Sequence, residues 1–120
     1  MVTLNADGSP QVTIVWAGLD GDDVVSAHLF ANRKVRNVQR DPRVSLSIEA
    51  TGIDARGLKE YLVVHGHARI EEGGAADLLQ RLAHVYLGPD VRFPPIDEPP
   101  AGYVMRTTPV RVGGVGPWAG

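Results

Sequence analysis

Residues Asn32 to Arg43 carry the densest charge in the chain. Arg33, Lys34, Arg36, Arg40 and Arg43 place five cations in twelve residues, on a protein whose formal net charge is -2. A cationic cluster against an acidic background suits one discrete anion better than a long polyanion. Asn32 can cap a short helix, and Pro42 ends it at about Asp41. On that helix Arg33, Arg36, Asn37 and Arg40 fall along adjoining faces, while Lys34 projects to a flank near the N-terminus. Fixed cations beside free helix N–H groups suit a phosphate or a carboxylate. The competing reading is a solvated basic surface helix.

The histidines suggest other chemistry. His65 and His67 are two apart, so on a strand they share one face and could meet a metal. No Asp, Glu or Cys completes a recognisable ligand set beside them, so no metal is expected and the pair reads as structural or solvent-facing. His28 ends a strand and is a candidate ligand contact. His84, on a helix, reads as surface or satisfied core. Trp16, inside a strand-like run, is core or a stacking platform. Asp97 and Glu98 lie in a proline-rich stretch and read as solvated carboxylates, not as an acid–base pair.

These residues need elements to position them. Met1–Asn5 reads as a strand, with Asp7-Gly8-Ser9-Pro10 as the following turn. Gln11–Leu19 is rich in β-branched residues and reads as a second strand. Asp20-Gly21-Asp22 turns the chain into a third, Val24–Leu29. After the basic helix, Arg43–Glu49 alternates polar and apolar residues, with Val44, Leu46 and Ile48 facing the core. Ala50–Lys59 is a charged connection. Glu60–Ile70 is a long strand, in which Gly66 marks a bulge, a bend or a close approach. Ala75–Tyr86 is an amphipathic helix with Leu78, Leu79, Leu82 and Val85 at helical spacing, ended by Gly88. Pro89–Gly102 is a long Pro-rich loop of the kind that often serves function. Tyr103–Thr108 and Val110–Val112 are closing strands, and Gly113–Trp118 reads as a flexible tail.

The sum is a single domain, 1–120, of mostly β (α+β) class: a six-stranded antiparallel barrel with two flanking helices. Strands and helices do not alternate, which excludes a parallel α/β sheet. With no cysteine, disulfides, thiolate metal sites and a thiol nucleophile are excluded, and a reducing, cytoplasmic setting is expected. No apolar run reaches the length of about 20 residues that spans a membrane. A pI of about 6.0 argues against nucleic-acid binding.

Three segments together carry a resemblance. They are Val2–Thr13, Lys34-Val35-Arg36-Asn37-Val38-Gln39-Arg40-Asp41-Pro42-Arg43-Val44, and His65-Gly66-His67-Ala68-Arg69-Ile70. The chain resembles the flavin- and deazaflavin-dependent oxidoreductases of the split-barrel superfamily, the pyridoxamine 5′-phosphate oxidase-like proteins. The middle segment is close to that family's K-x-R-N-(L/V)-x-R-D-P-R-V signature. With the terminal Gly-Val-Gly-Pro-Trp, it is most similar to the branch that uses coenzyme F420, a deazaflavin with a phosphate and a glutamate tail. In relatives an N-terminal helix covers one end of the barrel; here the first residues already read as a strand.

The resemblance implies an F420-dependent reductase that passes a hydride to a small organic acceptor, built as a homodimer with the cofactor at the interface. Lys34 is then expected at the cofactor phosphate with Asn37 nearby, and Arg33, Lys34 and Arg36 as the anion site. Thr13, Ile14, Val15 and Trp16 are expected along the tricyclic ring. Trp118 either docks beside the cofactor of the partner subunit or covers a barrel edge. The acceptor pocket is expected from Ala50–Lys59, Pro89–Gly102 and the C-terminal tail. Two alternatives stay open on the same barrel: an FMN-binding oxidoreductase or flavin reductase, and a non-catalytic carrier of the deazaflavin. Haem binding through His65 or His67 is a more remote reading.

Overall fold

A computed structural model describes residues 1–118. It contains β1 (Val2–Leu4), β2 (Pro10–Val12), β3 (Gly18–Asp20), β4 (Asp23–His28), α1 (Arg33–Arg40), β5 (Arg43–Ile53), β6 (Lys59–Glu72), α2 (Ala75–Tyr86) and β7 (Tyr103–Val115). All strand pairs are antiparallel and form one sheet in the order β2-β1-β5-β6-β7-β4-β3. The two edge strands, β2 and β3, are joined by residues 13–17 alone. Six Cα–Cα steps span at most about 20 Å. The edges of the sheet must therefore curl towards each other, which makes it a barrel with one open seam: the split β-barrel expected from the sequence.

The barrel has seven strands where six were expected. The Gln11–Leu19 run is not one strand; it leaves the sheet after Val12 and returns at Gly18. The cause lies far away in sequence. The Tyr86 hydroxyl accepts from the Ala17 N–H (3.2 Å) and donates to the Ala17 carbonyl (3.0 Å), occupying groups a partner strand would need. Ala50–Lys59 is mostly strand, closed by a turn in which Asp54 accepts from the Arg56 and Leu58 N–H groups. The presumed tail is also strand as far as Val115, since Gly113, Gly114 and Val115 pair with Val63, Leu62 and Tyr61.

Inside the barrel Val24, Val38, Val44, Leu46, Val64, Ala68 and Met105 form the core. Ile48, expected with Val44 and Leu46, is only half-buried. Gly66 marks a bulge, where the pairing of β6 with β7 shifts between His65 and Gly66. A Cβ at Gly66 would lie 2.4 Å from the Thr108 carbonyl oxygen, so two backbones touch there.

α1 starts at Asn32, whose Oδ1 accepts from the Val35 N–H at 3.1 Å, and stops before Pro42. It buries Val35, Asn37 and Val38 on one end of the barrel. α2 packs Leu78 and Leu82 against Val25 on β4. Val85 is 76 % exposed, not core. The buried stripe is centred on Ala75, Leu78 and Leu82, and Val85 lies past its edge. Arg106 of β7 joins Asp20 of β3, Asp23 of β4 and Glu71 of β6, and Arg69 of β6 joins Asp23, so a network of partly exposed ion pairs that add little energy individually links the short β3 edge to its neighbours through Arg106. No helix among the described residues is long and apolar enough to cross a membrane.

Candidate functional site

The seam segment Thr13–Ala17 runs beside the candidate site and lends it Ile14, Val15 and Trp16. No backbone hydrogen bond joins Ile14, Val15 or Trp16 to another described residue. Beside them lies a groove of about 270 Å³. Ile14, Val15 and Trp16 form one side, Ala27 and His28 of β4 the floor, and Lys34 of α1, Leu79 of α2 and Phe93 of the long loop the remainder. Trp16 is fixed by two other aromatics. Tyr86 stacks on it at 5.6 Å with the planes 9° apart, and Phe93 meets it edge-on at 5.0 Å.

The electrostatics of the groove are set by a histidine and a lysine. His28 is 6 % exposed, with Nε2 3.0 Å from the Ser26 hydroxyl. Burial, reinforced by the Lys34 charge, pushes its pKa down to about 4, so the imidazole is neutral at physiological pH. Burial also lowers the Lys34 pKa. Among the described residues no carboxylate pairs with Lys34. A partly desolvated cation without a counter-charge invites an anionic ligand.

Consecutive residues on a helix diverge by about 100°, and α1 uses this to serve two sites. Lys34 enters the aromatic groove. Arg33 and Arg36, with Arg40 and Asn37, line a separate open recess of about 640 Å³ against the Asn5–Ser9 turn. Arg33 and Arg36 are exposed and make no ion pair among the described residues. Asn37 is 3 % exposed, and its amide donates to Thr3 Oγ1 and Asn5 Oδ1, each at 3.1 Å. Both of its amide hydrogens are committed to holding α1 on β1.

Thr13 lines a neighbouring recess of about 410 Å³ that shares Ile14 and Val15 with the groove. Its hydroxyl is buried and has no hydrogen-bond partner among the described residues, an unusual state for a polar atom. Trp118 stands apart from both cavities: its Nε1 donates to the Tyr61 carbonyl at 2.8 Å, and its ring lies against Gly116. Of the segments expected to form an acceptor pocket, Pro89–Gly102 reaches the groove through Phe93, whereas Ala50–Lys59 and the described C-terminal residues do not line it. The sequence places Leu79 only on the apolar face of its helix and Ala27 only within its strand, and it does not single out Phe93 in its loop. The single aromatic in a Pro-rich loop was the one available signal for Phe93.

His65 and His67 both line a third groove, of about 300 Å³, with Arg43 and Arg111. His65 Nδ1 lies 2.6 Å from the Ser45 hydroxyl. Among the described residues no group of three or more His, Cys, Asp or Glu side chains could hold a metal ion.

Comparison with known proteins agrees with this architecture. None of the curated proteins matches the chain. Among solved structures, an F420 reductase is 27% identical, with a TM-score of 0.70 over 93% of this chain and 85% of that one. A conserved hypothetical protein of Mycobacterium tuberculosis is 23% identical, with a TM-score of 0.69 over 94% and 72% of the two chains. HutZ, the haem storage protein of Vibrio cholerae, is 17% identical, with a TM-score of 0.63 over 94% and 82%; at that identity the likeness is one of fold. The family model described as pyridoxamine 5'-phosphate oxidase matches residues 1–115, from the first strand to the last. Because that match takes in the seam, both helices and every strand of the split barrel, the chain belongs to the pyridoxamine 5′-phosphate oxidase-like family.

Proposed function

We propose that the aromatic groove holds the ring system of coenzyme F420 and that the protein passes a hydride from the reduced cofactor to a small organic acceptor. The observation that carries this reading is Lys34, a half-buried cation with no partner carboxylate among the described residues, at the edge of a groove walled by Trp16 and Phe93. Two further features fit a flat heteroaromatic ring with polar edges. Among the described residues the buried Thr13 hydroxyl has no partner, and the backbone of Ile14–Trp16 is unpaired beside the groove. The likeness to an F420 reductase supports the choice of deazaflavin.

Bound there, the deazaflavin supplies the electrons as a two-electron unit, which asks little acid–base work of the protein. The chain binds and orients. Lys34 takes the phosphate, and Arg33 and Arg36, on the other flank of α1, take the carboxylates of the glutamate tail. Trp16 and Phe93 keep water from the ring. His28, neutral and tied to Ser26, keeps the floor uncharged. Ile14 is 99 % exposed at the mouth of the groove; a second copy of the chain covers it in a homodimer, with each groove at the interface.

The family match itself favours one second reading, an FMN-dependent oxidoreductase on the same barrel. Titration of oxidised F420 and of FMN with the protein, followed by cofactor fluorescence, separates the two. Saturable binding of F420, weak binding of FMN and a loss of about tenfold or more in Lys34→Ala are expected, since a charge-assisted hydrogen bond contributes roughly 1.5–3 kcal/mol. Tighter binding of FMN assigns flavin chemistry. F420 affinity unchanged by Lys34→Ala removes the residue on which the reading rests.

A further inference from the structure

We infer that Gln80 is a positioning residue that sets Phe93 as the acceptor-side wall of the groove, and that the fixed wall selects flat, conjugated acceptors over flexible ones. The substrate class rests on the proposed hydride transfer; the positioning role does not.

Gln80 lies on α2, and its side chain acts as a piece of backbone for the loop that follows. Its Oε1 accepts from the Phe93 N–H at 3.0 Å, and its Nε2 donates to the Val91 carbonyl at 2.7 Å. The amide orientation is unambiguous, because a carbonyl accepts and an N–H donates. The second Nε2 hydrogen points to His84 Nε2, 2.9 Å away and one helical turn on. Both donors and the acceptor of one side chain are therefore engaged, two of them by loop backbone two residues apart. This arrangement clamps Val91–Phe93 in a loop that makes no ladder of its own.

The clamp has a consequence at the groove. Phe93 meets Trp16 edge-on at 5.0 Å, while Tyr86 covers Trp16 at 5.6 Å. Tyr86 also lies on α2. One helix thus fixes Trp16 directly through Tyr86 and indirectly through Gln80 and Phe93. Leu79, the neighbour of Gln80 on α2, lines the groove as well. The result is a wall of ring edges and aliphatic carbon at a fixed width. A fixed slot favours a planar π-system and makes a flexible acceptor lose more freedom on entry.

The test uses Gln80→Met, which keeps length and volume but removes the hydrogen bonds, with Phe93→Ala and the double variant. Trp118→Phe in every protein leaves Trp16 as the sole tryptophan. Acrylamide quenching of Trp16 is expected to rise in Gln80→Met and in Phe93→Ala, and to rise no further in the double variant. With reduced F420 as donor, Gln80→Met is expected to raise KM about tenfold for menadione, the scale of two lost hydrogen bonds. Its kcat stays near wild type, and KM for a flexible aliphatic enone changes far less. Non-additivity is the decisive sign, because a residue that acts only through Phe93 has no effect once Phe93 is gone. Equal quenching in wild type and Gln80→Met overturns the positioning role, as do additive effects in the double variant. Equal KM changes for both acceptors overturn the selectivity. No turnover by the wild type removes the hydride-transfer reading and the substrate class with it, and quenching then decides the positioning role alone.

Discussion

Replacing His28 by Gln should flatten the acid side of the stability profile. His28 is 6 % exposed and titrates at about 4 in the folded chain, against 6.5 for the free side chain. Above the unfolded value both states are neutral and the residue contributes no pH dependence. As pH falls below 6.5, the unfolded chain takes up a proton that the folded chain refuses until about pH 4. The full difference corresponds to about 3 kcal/mol. Between about pH 7.5 and about pH 5 the part lost is about 2 kcal/mol. The lowered carboxylates Asp7, Asp20, Asp41 and Asp54 act in the same direction, but their unfolded value is 3.8, so they matter at more acidic pH. Urea unfolding at a series of pH values measures the effect. Over that window the wild-type midpoint should fall by about 1 M more than that of His28→Gln, given a slope of about 2 kcal/mol per molar. The Lys34 charge is the smaller cause of the shift, so Lys34→Met should reduce the wild-type slope in part. Parallel profiles for wild type and His28→Gln would refute the buried neutral imidazole.

Three other outcomes follow from the geometry. Arg36→Ala should leave the urea midpoint within about 0.5 kcal/mol of wild type, as for exposed positions generally, yet weaken F420 by calorimetry more than it weakens the ring-and-ribityl fragment lacking phosphate and tail. Asn37→Ala should cost about 2 kcal/mol in urea, because it strips two hydrogen bonds from the joint between α1 and β1; an unchanged midpoint would make Asn37 a surface residue in effect. Gly66→Ala places a Cβ 2.4 Å from the Thr108 oxygen and should cost about 1–3 kcal/mol, seen as a lower Tm.

Local signals were legible where local physics decides. The Asn32 cap, the Pro42 stop, the Val44–Leu46 alternation and the Gly66 bulge were all readable because each is settled by a few neighbouring residues. The errors share another cause. Gln11–Leu19 has the composition of a strand, but Tyr86, 69 residues on, takes the Ala17 backbone groups. Gly113–Val115 looks like tail because glycine is a poor strand former, yet Gly114 sits where a Cβ would come 2.2 Å from the Tyr61 oxygen. The division of α1 between two cavities was within reach of helical periodicity alone. The composition of the groove was not: Phe93 and Leu79 join Trp16 only after loop and helix have packed.

The position of the groove follows from the topology. β2 and β3 are the two ends of the sheet, and only residues 13–17 connect them. A seam-crossing segment cannot pair with both edges, so some of its amide and carbonyl groups must find partners elsewhere. Tyr86 supplies them for Ala17 and the Met1 backbone for Thr13. Among the described residues nothing pairs with the backbone of Ile14, Val15 and Trp16 or with the Thr13 hydroxyl. Adding a strand to the seam would satisfy them and close the barrel; instead Trp16, held between Tyr86 and Phe93, lines the groove beside them. The proposed cofactor, a flat ring with polar edges, meets the free backbone on one side and the aromatic wall on the other. On the proposed reading the open seam of the barrel is also its binding site, and a substitution that let residues 13–17 pair as a strand should abolish F420 binding while making the protein more stable.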